Sequence, residues 1–248
     1  MHGKKKKHLK TGVFIAVVLL AIVVGGIVYV NDYYRPLDIA MEALADNETL
    51  EIYQLQDAAW VFAPEERNGQ EKGLIFYPGG KVAYEAYAPL LRMLAESGLV
   101  CVLPQMPVNL AVLDMDVAEA YPARFPQITE WYLGGHSLGG SMAAGYAADH
   151  AQEYEGLILL ASYSAADLKD TGLRVLSIYG SEDKVLNMEK YTEYKGNLPE
   201  DFQEMVIEGG CHAYFGSYGP QEGDGTPAIS NEEQLQVTTE RMAEFIKH

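Results

Sequence analysis

The sequence predicts an α/β domain built on a mainly parallel sheet with helices on both faces. Three observations carry that expectation. Short apolar, β-prone runs recur at 74–77, 99–103, 131–133, 157–161, 173–179 and 205–207. Segments of helical character lie between or after them, at 84–97, 137–150 and 232–247, and alternating strands and helices are the pattern of a parallel sheet with crossover connections. The composition is 48% hydrophobic, ample core for one domain of about 210 residues after the N-terminal segment.

The chain begins with a basic segment over 1–12 that contains Lys4, Lys5, Lys6, Lys7 and Lys10, followed at 13–30 by residues that carry no charge. At about 1.5 Å per residue a helix of that length reaches roughly 27 Å, close to the thickness of a hydrocarbon core. No small-x-small cleavage site precedes Asn31-Asp32, and Tyr29 would interrupt one, so the expectation is an uncleaved transmembrane anchor rather than a signal peptide. The positive-inside tendency keeps the lysines cytoplasmic and turns the remainder outward, as a single-pass protein of the cell membrane. Residues 31–49 read as a juxtamembrane segment with apolar residues at helical spacing over 35–47, and 50–248 as the α/β domain.

Within that domain, 50–62 reads as a strand entering the sheet, closed by the turn signal Arg67-Asn68-Gly69-Gln70. Strand 74–77 leads into Pro78-Gly79-Gly80-Lys81, whose glycines let the backbone approach a ligand. Helix 84–97 and strand 99–103 follow. Strand 131–133 then runs into Gly135-His136-Ser137-Leu138-Gly139. A serine on a tight strand-to-helix turn, with glycine two before and two after where side chains would collide, has the form of a nucleophile elbow. The following stretch has no proline and carries Gly, Ala and Ser on several faces, which lets a helix lie close on a sheet.

A serine hydroxyl is a poor nucleophile until a base takes its proton, so a histidine and an orienting acid should follow in the order Ser, Asp, His. Strand 173–179 ends in Gly180-Ser181-Glu182-Asp183-Lys184-Val185, and strand 205–207 in Glu208-Gly209-Gly210-Cys211-His212. Among the histidines, His2, His8 and His248 are terminal, His136 is turned away from its neighbour's hydroxyl by the elbow, and His150 sits near the end of the elbow helix, where the helix dipole accounts for it. His212 remains. Asp183 competes with the adjacent Glu182 and with Asp167, which follows strand 157–161.

The G-H-S-L-G-G elbow, the G-S-E-D-K-V acid loop and the G-G-C-H-A-Y-F histidine loop resemble the α/β-hydrolase superfamily in order and spacing, from about Leu50 to the C-terminus. The resemblance implies an α/β-hydrolase fold and a set in which Ser137 attacks an acyl carbon, His212 shuttles the proton, and Asp183 fixes the imidazole tautomer and stabilises its charged form. It implies an oxyanion hole made by the N–H of Leu138 and one N–H from the loop after strand 74–77, Gly80 or else Lys81. In the superfamily topology Cys101 lies near the middle of the sheet and Cys211 toward the other edge, so no disulfide is expected. Nothing has metal-ligand spacing, and the chemistry implied needs no cofactor.

Formal net charge is −17, and residues 1–35 hold six basic residues and one acidic residue, net +5, which leaves −22 on the rest. A field of that sign disfavours nucleic acid and polyanionic substrates. Only about eleven residues separate Ala161 from Leu173, too few for a helical cap, so the site should be open. The stretch from Phe215 to Pro227 is rich in Gly, Pro and aromatics, and a long loop beside the base is expected to be functional. Tyr214, Phe215 and Tyr218, with Lys81, are the expected substrate contacts. The reading is a membrane-anchored, outward-facing serine hydrolase that cleaves a carboxylic ester or related acyl bond of a small-molecule or lipid-like substrate through an acyl-enzyme. A thioesterase, a dienelactone-hydrolase-like enzyme and a peptidase are alternatives within the fold; a non-catalytic surface binding protein is the alternative from another class.

Overall fold

The strands of the computed structural model, which describes residues 18–46, 48–65 and 71–247, are β1 (Leu50–Gln54), β2 (Trp60–Pro64), β3 (Glu71–Tyr77), β4 (Val100–Leu103), β5 (Ile128–His136), β6 (Gly156–Leu160), β7 (Arg174–Gly180) and β8 (Gln203–Ile207). They form one eight-stranded sheet in the order β1-β2-β4-β3-β5-β6-β7-β8. The β1–β2 and β2–β4 pairs are antiparallel and all the others parallel, so the sheet is mainly parallel, as the sequence predicts.

Side-chain alternation along β3 shows how the layers are built. Leu74 and Phe76 join an apolar cluster with Leu90, Leu91 and Leu94 of α2 (Ala88–Glu96) and Met242 and Phe245 of α5 (Asn231–Lys247). Ile75 and Tyr77 join a second cluster with Ala143, Ala144 and Ala147 of α3 (Leu138–Asp149). Both faces of a central parallel strand are therefore buried, as βαβ crossovers require. Small residues on the buried face of α3, Gly139 and Gly140 among them, let that helix sit close to the strand that feeds it. Two shorter helices are α1 (Asp38–Glu42) and α4 (Met188–Tyr194). No helix stands between β6 and β7, and no large cap covers the strand ends.

The structure departs from the sequence reading at three places. The predicted strand 50–62 is a hairpin: β1 and β2 are antiparallel, and the turn between them contains Ala58 at φ 65°. The compact unit that holds the sheet begins at Tyr34 rather than near Leu50. Tyr34 pairs with Val82 in a parallel bridge, and Leu37 N–H donates to Ser217 O at 2.9 Å, so the expected juxtamembrane segment is largely part of the domain. Third, α4 occupies a stretch for which the sequence predicts no element. The unit before Tyr34 contains a helix over 18–31 whose apolar side chains, from Val18 to Val30, are exposed. Residues 13–17 of the expected anchor and the lysine cluster lie outside the described residues. Among the described residues no helix is long and apolar enough to cross a membrane.

Candidate active site

Ser137, Asp183 and His212 leave the sheet just beyond the C-terminal ends of β5, β7 and β8, on the edge where parallel α/β sheets bind ligands. Ser137 has φ 53° and ψ −123°, a conformation that costs a non-glycine residue on the order of 1–3 kcal/mol. The surroundings impose it. Ser137 N–H donates to Leu160 O of β6 (2.9 Å), and its carbonyl accepts from Ser141 N–H (3.2 Å) and from the buried Ser162 hydroxyl (2.7 Å). A methyl group at Gly135 would meet the Gly139 and Gly140 backbone at 2.7 Å, and one at Gly139 would collide with the carbonyls of Tyr77 and Pro78. The spacing in the pentapeptide is thus a packing requirement.

His212 and Asp183 form a buried pair. Nδ1–H of His212 donates to Asp183 Oδ2 at 2.8 Å, with side chains 2% and 1% exposed. Asp183 Oδ1 accepts N–H bonds from Val185 (2.9 Å) and Leu186 (2.8 Å), so the carboxylate is satisfied on both oxygens. With Nδ1 committed to Asp183, Nε2 is the nitrogen left to take a proton. The competing acids stand elsewhere. Asp167 is exposed and interacts with Lys169, and Glu182 accepts from the hydroxyl of Ser181.

His136 packs its ring 4.5 Å from that of His212 and 5.7 Å from that of Phe215. Burial, and then the proximity of His212, push its pKa well below the ordinary histidine value, so it is neutral. Its Nδ1 lies 2.8 Å from the Tyr87 hydroxyl, which also accepts from Gly79 N–H at 3.0 Å. With the Tyr87 O–H donating to Nδ1, the hydroxyl, Nδ1 and the Gly79 amide are all paired, while the buried Nε2 of His136 has no hydrogen-bond partner among the described residues. A chain of contacts therefore runs from the loop after β3 through Tyr87 and His136 to the ring of His212. Tyr87 carried no sequence signal for this, because its partners meet it only across the fold.

In the loop after β3 the main-chain groups of Gly80 and Lys81 have different surroundings. Lys81 N–H donates to Asn109 O at 2.8 Å, and Lys81 O accepts from Tyr34 N–H at 2.8 Å. Gly80 faces Leu138, since a methyl group on it would stand 2.8 Å from Leu138 Cδ2, and its N–H donates to no group among the described residues. Leu138 N–H opens the first turn of α3, where amides have no intrahelical partner.

Ser137, Leu138 and His212 share a cleft of about 380 Å³ with Met142, Ala161, Tyr163, Ala165, Val185 and Leu186, edged by Ser141, Ser162 and Asn187. No carboxylate, lysine or arginine lines it. Lys81, Tyr214, Phe215 and Tyr218, the expected substrate contacts, are absent from its walls. Phe215 and Tyr218 are core residues instead, 0% and 5% exposed. The Tyr218 ring packs on Tyr34, and its hydroxyl donates to Gln221 Oε1. An aromatic-rich loop next to the base looks the same in sequence whether it faces the cleft or the interior. Cys101 and Cys211 are both free and buried. Burial, then the charge of Asp224, hold the Cys211 thiol neutral, with its pKa pushed up to about 12. Among the described residues no group of His, Cys, Asp and Glu is arranged to hold a metal ion.

Residues 73–236 match the profile of the family described as the alpha/beta hydrolase family. No curated protein matches the sequence. Among solved structures, Est1E from Butyrivibrio proteoclasticus with ferulic acid bound is 15% identical and superposes with a TM-score of 0.61, covering 82% of this chain and 98% of its own. A hydrolase described as CIB-like, from Thermoplasma acidophilum, is 14% identical with a TM-score of 0.55 over 79% of this chain and 98% of its own. A protein provisionally described as a lipase, from Acinetobacter baumannii AYE, is 11% identical with a TM-score of 0.59 over 84% of this chain and 95% of its own. At these identities the likeness is one of fold.

Proposed function

We propose that this chain, which belongs to the alpha/beta hydrolase family, is a serine hydrolase that cleaves a carboxylic ester. One observation carries the reading: a buried Asp183–His212 pair with the second ring nitrogen uncommitted, on a cleft that Ser137 also lines. In this reading His212 Nε2 takes the Ser137 proton as Oγ attacks the acyl carbon. The negative oxygen that develops is met by the N–H groups of Leu138 and Gly80, and His212 returns the proton to the departing alcohol. Water, deprotonated by the same nitrogen, then releases the acid from the acyl-enzyme.

The uncharged, largely apolar cleft supports a neutral substrate with an apolar acyl or alcohol group. Ferulic acid, the molecule bound in Est1E, is a carboxylic acid, the product type expected of ester cleavage. The test is a fluorophosphonate probe with a panel of short and long acyl esters. Wild-type protein should be labelled at Ser137 and turn over esters, and S137A should lose labelling and about a million-fold in kcat. Labelling at another serine would overturn the assignment.

The lysine-flanked apolar segment 13–30 supports the further reading that the hydrolase is tethered to a membrane and faces outward. Full-length protein should then sediment with membranes and resist release by high salt, because apolar burial is not screened. Release by salt alone would mean a peripheral attachment.

A further inference from the structure

We propose that Asp224 is a positioning residue: its carboxylate clamps the acid loop to the histidine loop and so sets where the His212 ring stands. The inference rests on the reading of Asp183 and His212 as acid and base. Asp224 Oδ1 accepts main-chain N–H bonds from Lys184 (3.3 Å), His212 (3.2 Å) and Gly225 (2.8 Å), and Oδ2 accepts from Ala213 N–H (2.8 Å). Lys184 directly follows the acid, and His212 is the base itself. One carboxylate oxygen therefore links the backbones of two loops whose side chains must meet at 2.8 Å.

Without such a link the geometry would depend on two independent loops, one after β7 and one after β8. Bonds from neutral amides to a carboxylate are roughly twice as strong as neutral ones, and four converge on this side chain. The segment carrying Asp224 is held against the same place by other contacts. Ala228 N–H donates to Gly209 O at 2.8 Å, Ser217 N–H to Ala86 O at 2.7 Å, and Gly225 lies so close to the Glu182 carbonyl that a methyl group there would collide with it. The glycine at 225 is what allows Asp224 to reach both loops.

The test compares D224A, D224N and G225A in the full-length protein by kcat and KM on an ester that the wild type hydrolyses, by thermal unfolding, and by the low-field proton resonance of the His212–Asp183 hydrogen bond. D224A should lower kcat about 100-fold, the scale of a 1 Å misplacement, while KM stays within about threefold and the low-field resonance broadens or disappears. D224N keeps one acceptor oxygen and should lose about tenfold. Wild-type kcat and resonance in folded D224A would overturn the clamp. If D224A fails to fold, wild-type kcat in D224N and G225A overturns it. If none folds, hydrogen exchange on the wild type decides: the Lys184, His212 and Ala213 amides should be protected together, and exchange at the rate of exposed loop amides refutes the proposal. A wild type that neither hydrolyses esters nor takes the probe would refute the catalytic reading, whereas the resonance and the exchange still read the clamp.

Discussion

Two carboxylates flank His212 and grip different parts of it. Asp183 accepts from the ring at 2.8 Å, and Asp224 accepts from the same residue's main-chain N–H at 3.2 Å. Both are further satisfied by backbone amides, but of different origin. Asp183 draws on Val185 and Leu186, two and three residues along its own turn. Asp224 draws on the adjacent Gly225 but also on Ala213 and Lys184, eleven and forty residues away. A carboxylate that organises its own turn leaves a local pattern in the sequence; one that joins two distant turns leaves none.

The sharpest test of this contrast is at the ring. D183N should lower kcat by about four orders of magnitude, because an amide neither selects the right tautomer nor stabilises the imidazolium. Stability should change far less. Asp167, whose side chain is 68% exposed and 4.0 Å from Lys169, should tolerate Asn within about twofold in kcat, as surface substitutions do. Steady-state kinetics on purified variants measure both. Should D183N lose no more than D224A, ring and backbone anchoring would be equivalent and the contrast would dissolve.

The same distinction separates what was legible in the sequence from what was not. The elbow was legible because Gly135, Ser137 and Gly139 fall within five residues, although the carbonyls that exclude a side chain at Gly139, those of Tyr77 and Pro78, come from β3 and the loop after it. Sheet layering was legible because the β3, β5, β6 and β7 segments each contain a short run of mostly apolar residues. The β1–β2 hairpin was hidden because its turn uses Ala58 at positive φ, with no Gly or Asn to mark it, and the apolar Ala58-Ala59-Trp60 continued the strand pattern. The different surroundings of the Gly80 and Lys81 amides were hidden because Asn109 O, which accepts from Lys81 N–H, lies 28 positions away. In the loop 215–227 the aromatics were legible but not the burial of Phe215 and Tyr218, and the main-chain bonds that Asp224 accepts there left no pattern in the sequence.

Phe215 gives the clearest separation of packing from specificity. Its ring is fully buried, 5.7 Å from His136, in the apolar cluster that also holds Tyr87 and Tyr218. F215A should cost about 3–5 kcal/mol in denaturant unfolding, the transfer and cavity terms of a lost core aromatic. It lies outside the walls of the cleft, so the ratio of kcat/KM between short and long acyl esters should stay within about twofold, whereas an altered pocket contact moves such ratios by 10- to 200-fold. Some loss of kcat is expected, because the ring supports His136 and through it the face of His212. The opposite outcome, unchanged stability with a shifted chain-length profile, would put Phe215 at the substrate and would mean that the 215–227 loop lines the pocket after all.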